Sequence, residues 1–216
     1  ILPAAGEPVT ISCRSEARAG ARPPVLEWKL DGDEPFNPIA MHDDGVAPDA
    51  RAGDGEYSAS LPGQPKSRLL VYRVRSSSDS GDRFLPWPDP HGEQLALVGF
   101  GEEPFGGDFG DYRVWIRATN VFRWNAQPKM CNQLWPATFV WDRFRVIHGA
   151  GIRFSGSGFS RPGYTHPING VEAGYVFHLP DHSRHLGDVG FKMDSTNPGQ
   201  DHTTYQRTKL SMALGD

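Results

Sequence analysis

The chain has 216 residues, enough for one large domain or two small ones with separate cores. Its 25 Gly and 19 Pro, with few helical heptads, favour a β-rich protein over a helical bundle. A formal charge of −4 argues against a nucleic-acid footprint, and no apolar run approaches the ~20 residues that span a bilayer.

Four short alternating runs open the chain. Val9, Ile11 and Cys13 share one face of Val9–Arg14, and Leu26, Trp28 and Leu30 one face of Val25–Leu30. Tyr57, Ala59 and Leu61 do so in Glu56–Leu61, and Leu70, Tyr72 and Val74 in Leu69–Val74. Such alternation marks half-buried strands. Pro, Gly and Asp clusters separate the runs, so the expectation is an Ig-like or fibronectin-like sandwich over residues 1–84. Cys13 and the distant Cys131 are expected as buried, inert thiols.

Between the second and third runs, Asp43, Asp44, Asp49 and Asp54 stand within twelve residues of one another. They can gather oxygen ligands for Ca²⁺. They can equally cap their own backbone in Asx-turns, with Gly45 and Gly55 supplying positive φ, since the EF-hand order is absent. Ser76–Gly81 reads as a break, and the proline-rich 85–92 as a stiff linker.

Residues 93–216 are expected to form a small α+β lobe. Tyr112–Ala118 alternates as a strand, Asn120–Ala126 reads as a helical turn, and Thr138–Trp141 with Arg143–Ile147 as a hairpin turning at Asp142. Gly151–Ser155 and Tyr175–Leu179 read as further strands. A closing helix carries a capping-box pattern at Thr203 and Gln206 and an apolar stripe of Leu210, Ala213 and Leu214. Four tryptophans, Trp115, Trp124, Trp135 and Trp141, crowd this part. They are expected as a second core layer beneath a further lobe, the alternative being an outward platform of Trp115 and Trp141.

Three patterns can carry chemistry. The glycine-rich Arg153-Phe-Ser-Gly-Ser-Gly-Phe159 lets backbone N–H groups approach a phosphate, with no Cβ intervening. Lys192, on the strand-like Gly190–Met193, can neutralise phosphate charge, though a strand lysine is commonly solvent-facing. His178, His182 and His185, with Asp181 and Asp188 nearby, have spacing that serves Zn²⁺ on one helix face. Pro180 interrupts them, and exposed turn histidines are expected. Neither a Gly-x-Ser-x-Gly nor a His-Glu-x-x-His pattern occurs, so hydrolase chemistry is unsupported.

Taken in order, Ala150-Gly-Ile-Arg-Phe-Ser-Gly-Ser157, Tyr175–Leu179, Lys192-Met-Asp-Ser195 and Arg207-Thr-Lys-Leu210 resemble the spore-coat protein H (CotH) family of secreted, kinase-like proteins. The likeness covers roughly half the chain, about residues 110–216. The loop 41–56 resembles one in bacterial sandwich modules that precede such domains. The resemblance implies an extracellular or cell-surface protein. Its full-length form would transfer phosphoryl from ATP with Mg²⁺ to a protein substrate. Gly151, Arg153, Gly156, Ser157, Gly158 and Lys192 would lie against the nucleotide.

There are departures. The family's basic Lys-Ser-Tyr is replaced by Glu172-Ala-Gly-Tyr175, and the closing helix has no carboxylate, which leaves Asp194 or Glu172 as partners for a lysine. The family's catalytic and metal-binding aspartates fall downstream of Asp216, so the expectation is an amino-terminal lobe lacking its carboxy-terminal half. The alternative is a non-catalytic surface, adhesion or scaffold protein with a decayed kinase-like lobe.

Overall fold

A computed structural model describes residues 2–15, 20–86, 88–89, 91–103, 111–128, 130–142, 145–155 and 174–193. The protein is mostly β, with several antiparallel sheets and one helix among the described residues. The expected closing helix at 203–214, Gly156, Ser157, Gly158, Trp87, Glu172 and Asp194 lie outside the described residues.

The four expected strands of the first part form: β1 (Val9–Arg14), β2 (Val25–Leu30), β4 (Glu56–Leu61) and β5 (Leu69–Ser78). β1 pairs antiparallel with β4, and a second sheet runs β3 (Asn37–Ala40), β2, β5, β6 (Gly81–Leu85). Most inward residues are those that the alternation marks, the exception being β2, where Lys29 is buried and Leu30 lies outside the core cluster. Leu26, Ala59, Leu61, Leu70, Tyr72 and Val74 are buried in one cluster, with Val9, Ile11, Cys13, Trp28 and Tyr57 packed against it. Cys13 and Cys131 are half-buried rather than buried; the Cys13 Sγ lies 3.9 Å from the Met41 Sδ, and burial pushes its thiol up, as suits an inert cysteine.

Two expectations change here. Ser76–Gly81 does not break the strand. β5 continues to Ser78, and a two-residue turn at Asp79 and Ser80 leads into β6, with Ser78 paired to Gly81. Serines at a sheet's outer end bond water or each other without loss, so polarity alone did not end the strand; the Ser78 and Ser80 hydroxyls lie 2.8 Å apart. The unit also runs past residue 84. β7 (Ala96–Gly99), which falls in the segment assigned to the second part, pairs with the first half of β5.

The second sheet system is a meander in chain order: β8 (Tyr112–Trp115), β9 (Trp135–Trp141), β10 (Arg145–Phe154), β11 (Tyr175–His178) and β12 (Gly190–Met193). Helix α1 (Ala118–Ala126) follows β8; it starts at Ala118, where alternation had suggested continued strand. The run expected as two strands, 143–147 and 151–155, is one strand, β10. Between the pairs Ile147–Phe139 and Ala150–Ala137, His148 and Gly149 oppose the single residue Thr138. This is a β-bulge, and Gly149 sits at φ +70°, where a side chain would be strained.

Trp124, Trp135, Phe139, Ile147, Ile152, Phe154, Phe177 and Leu179 form the core on one face of this meander. The other face meets the first part. Val71 and Leu97 from the β5–β7 sheet and Trp115 and Val140 from the meander are buried together with Leu2. The Trp115 indole occupies the space where a side chain on Gly99 would stand, and its Nε1 donates to Glu102 Oε1 at 2.7 Å. Trp115, expected under a further lobe, is therefore covered by the first part of the same chain. Trp124 and Trp135 are buried in the meander's own core, and Trp141 packs against it, so the outward platform does not form.

Candidate functional site

The residues expected to meet phosphate fall on the outer half of the meander. Arg153 of β10 pairs with Val176 of β11, and Val176 with Lys192 of β12. The three form one cross-strand row, so Arg153 and Lys192 project from one face about 10 Å apart, two strand spacings. One pleat along, Gly151 pairs with His178 and His178 with Gly190. Glycines thus flank an imidazole beside the two cations, and His178 and Lys192 are exposed. Ile152, Phe154, Phe177 and Phe191 point the other way, into or against the core, which fixes the face that the polar set must take.

The glycine-rich segment leaves β10 beside this row. The Ser155 N–H donates to the Gly174 carbonyl at 2.8 Å, which brings the two ends of the 156–173 connection together. The Ser155 Oγ is buried and lacks a hydrogen-bond partner among the described residues. Arg153 Nη1 donates to Asn132 Oδ1 at 3.2 Å and to the Phe154 carbonyl at 3.2 Å, which orients its guanidinium along the strand.

No family model, no curated protein and no solved structure matches this chain.

The aspartate loop is held by its own backbone. Asp43 accepts from the N–H groups of Gly53, Asp54 and Gly55 at 2.6, 3.2 and 3.0 Å. Asp49 accepts from Gly45 N–H at 2.6 Å, Asp44 from Val46 N–H at 2.9 Å, and Asp54 from Glu56 N–H at 2.9 Å. The Asp44 and Asp54 contacts, to N–H groups two residues on, are the expected Asx-turns, while Asp43 and Asp49 tie more distant parts of the loop together. Among the described residues, no group of three or more His, Cys, Asp or Glu stands together as a metal ion would need.

The histidine string divides. His178, at the end of β11, and His182, in the turn that follows, are exposed, but His185 is fully buried. Its ring lies 4.6 Å from Trp141, 5.3 Å from Phe139, 5.7 Å from Phe191 and 5.9 Å from Tyr112. A bridge between His185 and Asp188 folds the turn back over the aromatic core and carries the imidazole inward.

Sequence reasoning missed the polar junction between the two sheet systems. The Tyr72 hydroxyl lies 3.3 Å from His148 Nε2, and the Thr138 Oγ1 lies 3.4 Å from His148 Nδ1. The bulge that sets two residues against Thr138 delivers His148 here, and burial pushes its imidazole down to about 4. Beside it, the Ala118 N–H at the start of α1 donates to Asp31 Oδ2 at 2.6 Å, and Arg117 pairs with Asp31 and with Glu93. His91 Nε2 meets the Leu134 carbonyl at 2.8 Å. The proline-rich segment is therefore docked on the second part. A glycine directly after a histidine, within an apolar strand pattern, was the available signal of the bulge.

Proposed function

We propose that the part of the chain from β8 onward is the amino-terminal lobe of a secreted CotH-type, protein-kinase-like protein and that the leading part, which takes in β7, is an Ig-like module. The full-length form transfers phosphoryl from Mg-ATP to a protein hydroxyl. The row Arg153–Val176–Lys192 carries this reading. It supports two cations on one face of three consecutive antiparallel strands, beside the point where the glycine-rich segment departs. That spacing suits contact with separate phosphates of one nucleotide, where charge-assisted hydrogen bonds do most of the catalytic work.

A second reading, a non-catalytic surface scaffold, draws on Arg153, whose guanidinium already bonds Asn132 and the Phe154 carbonyl. Nucleotide titration separates the two. A form extended past Asp216 should bind ATP with Mg²⁺, and Lys192→Ala and Arg153→Ala should each weaken binding by roughly tenfold or more. Absence of nucleotide binding, or affinity unmoved by both substitutions, rejects the kinase-like assignment and leaves the scaffold.

A further inference from the structure

A small cavity of mixed lining, with Leu95, Leu97, Pro136 and Ala137 on its apolar side, lies where α1, β9, β10 and the docked 88–97 segment meet. Its polar lining comes from Asp89, Glu93, Arg117, Asn120 and Thr138, with the backbone of Gly149. Its volume is about 10 Å³. Asn120 is 3% exposed, and its Nδ2 has no acceptor among the described residues. Buried amide donors are almost always satisfied, by protein or by ordered water.

We propose that this cavity is a binding site for a single water molecule, held by the Asn120 amide and closing the polar junction between the two sheet systems. The size selects the ligand: the space is on the scale of one water and too small for a phosphate or sulfate. Charge selects it as well. Arg117 is already paired with Asp31 and Glu93, and Asp89 adds a further carboxylate, so an anion is not called for. Water both donates and accepts. It therefore satisfies Asn120 whichever way the amide is turned, and it can answer the acceptors of Asp89 or Thr138 in the same site.

The position gives the water a structural consequence. Thr138 lines the cavity and its Oγ1 stands 3.4 Å from His148 Nδ1, while His148 Nε2 stands 3.3 Å from the Tyr72 hydroxyl. A water between Asn120 and Thr138 extends this chain from helix α1 of the second part to β5 of the first. The docked segment contributes Asp89, which is fixed by accepting from the N–H groups of His91 and Glu93 at 2.8 and 3.0 Å. All three pieces of chain then share one hydrogen-bonded centre.

A crystal structure of the full chain, at a resolution that places waters, tests this directly. It should show one water within hydrogen-bond distance of the Asn120 amide and of a second polar lining group. Asn120→Leu, which removes the donor and fills the space, should lose that water. Water-oxygen relaxation dispersion in solution should count one fewer long-lived water in the variant. A cavity without water density, a protein group that accepts from Asn120 Nδ2 in its place, or unchanged relaxation in a folded variant overturns the proposal. If Asn120→Leu does not fold, the density in the native protein decides alone.

Discussion

Strands β1 and β9 are built on opposite plans. β1 alternates half-buried and exposed residues along its whole length, with Val9, Ile11 and Cys13 against one core and Thr10, Ser12 and Arg14 in solvent. β9 is buried at six successive residues, Trp135 to Val140. Its Trp135, Ala137 and Phe139 belong to the meander's own core, while Val140 belongs to the cluster shared with the first part. An edge strand with one wet face tolerates polar residues every second position. A central strand covered on both faces must satisfy each polar group inside the protein, and Thr138 does so through His148. The difference locates the cohesion of the molecule: it lies in the stacking of the two sheet systems, with β9 between their cores.

The largest test of this contrast is truncation to alanine on each strand. Phe139 is fully buried and contacts the rings of Tyr112, Phe177, Phe191 and His185. Phe139→Ala should cost about 3–5 kcal/mol in equilibrium unfolding. Ile11→Ala on β1, whose side chain is only half-buried, should cost roughly 1–2 kcal/mol. Equal costs would mean that the double covering of β9 adds nothing to its packing.

Acid sharpens the comparison next, because the junction holds a buried histidine and β1 has none. His148 is neutral in the folded protein, its imidazole pushed from 6.5 to about 4 by burial. In the unfolded chain it protonates near 6.5, so between these values the unfolded state binds more protons and stability rises with pH. The contribution is complete above about pH 6.5 and is lost on acidification towards pH 4, about 3 kcal/mol in all. Unfolding followed from pH 7 to 4 should show this acid limb, and His148→Gln should flatten it. A limb unchanged in the variant would place the acid sensitivity elsewhere.

How much of this was legible in the sequence depended on how many faces of a strand are covered. The strands with one wet face, β1, β4 and the first half of β5, could be read from period-two alternation because polar residues mark the outer side. β7 was missed: Ala96, Leu97, Val98 and Gly99 are all buried, and a four-residue apolar run has no period to read. The same limit hid the second face of β5, where Val71 is as buried as Leu70 but serves a different core. Of the candidate site, the shared row of Arg153 and Lys192 follows from residue parity and strand order once β10, β11 and β12 are adjacent, which local pattern alone does not say. The junction was illegible for a stronger reason. Asp31 and Ala118, or Tyr72 and His148, are distant in sequence, and no local pattern announces a partner that only the stacking of two sheets supplies.

The smallest expected effect probes the joint most directly. Helix α1 has no acidic residue in its first turn, and Arg117 at its N-cap makes no side-chain cap. Its orphan N–H group at Ala118 is met instead by Asp31, from the turn after β2, 2.6 Å away. That turn is itself anchored, since the Asp31 N–H donates to the Leu69 carbonyl at 3.0 Å. A carboxylate there answers both the unpaired N–H and the positive end of the helix dipole, and it also meets the Arg117 guanidinium at 3.4 Å. Asp31→Ala should therefore cost about 1 kcal/mol, a cap's usual worth. Asp31→Asn should recover part of that, because its side-chain oxygen can still accept from Ala118 while the charge against Arg117 is gone. A double-mutant cycle with Arg117→Ala isolates the ionic part, and a coupling of roughly 0.5–1 kcal/mol is expected for a pair this shielded. If Asp31→Ala is neutral and the cycle closes without coupling, the first part of the chain does not cap the helix of the second. The union of the two would then rest on the apolar cluster around Trp115 and Val140 and on the remaining polar contacts, such as Tyr72 with His148.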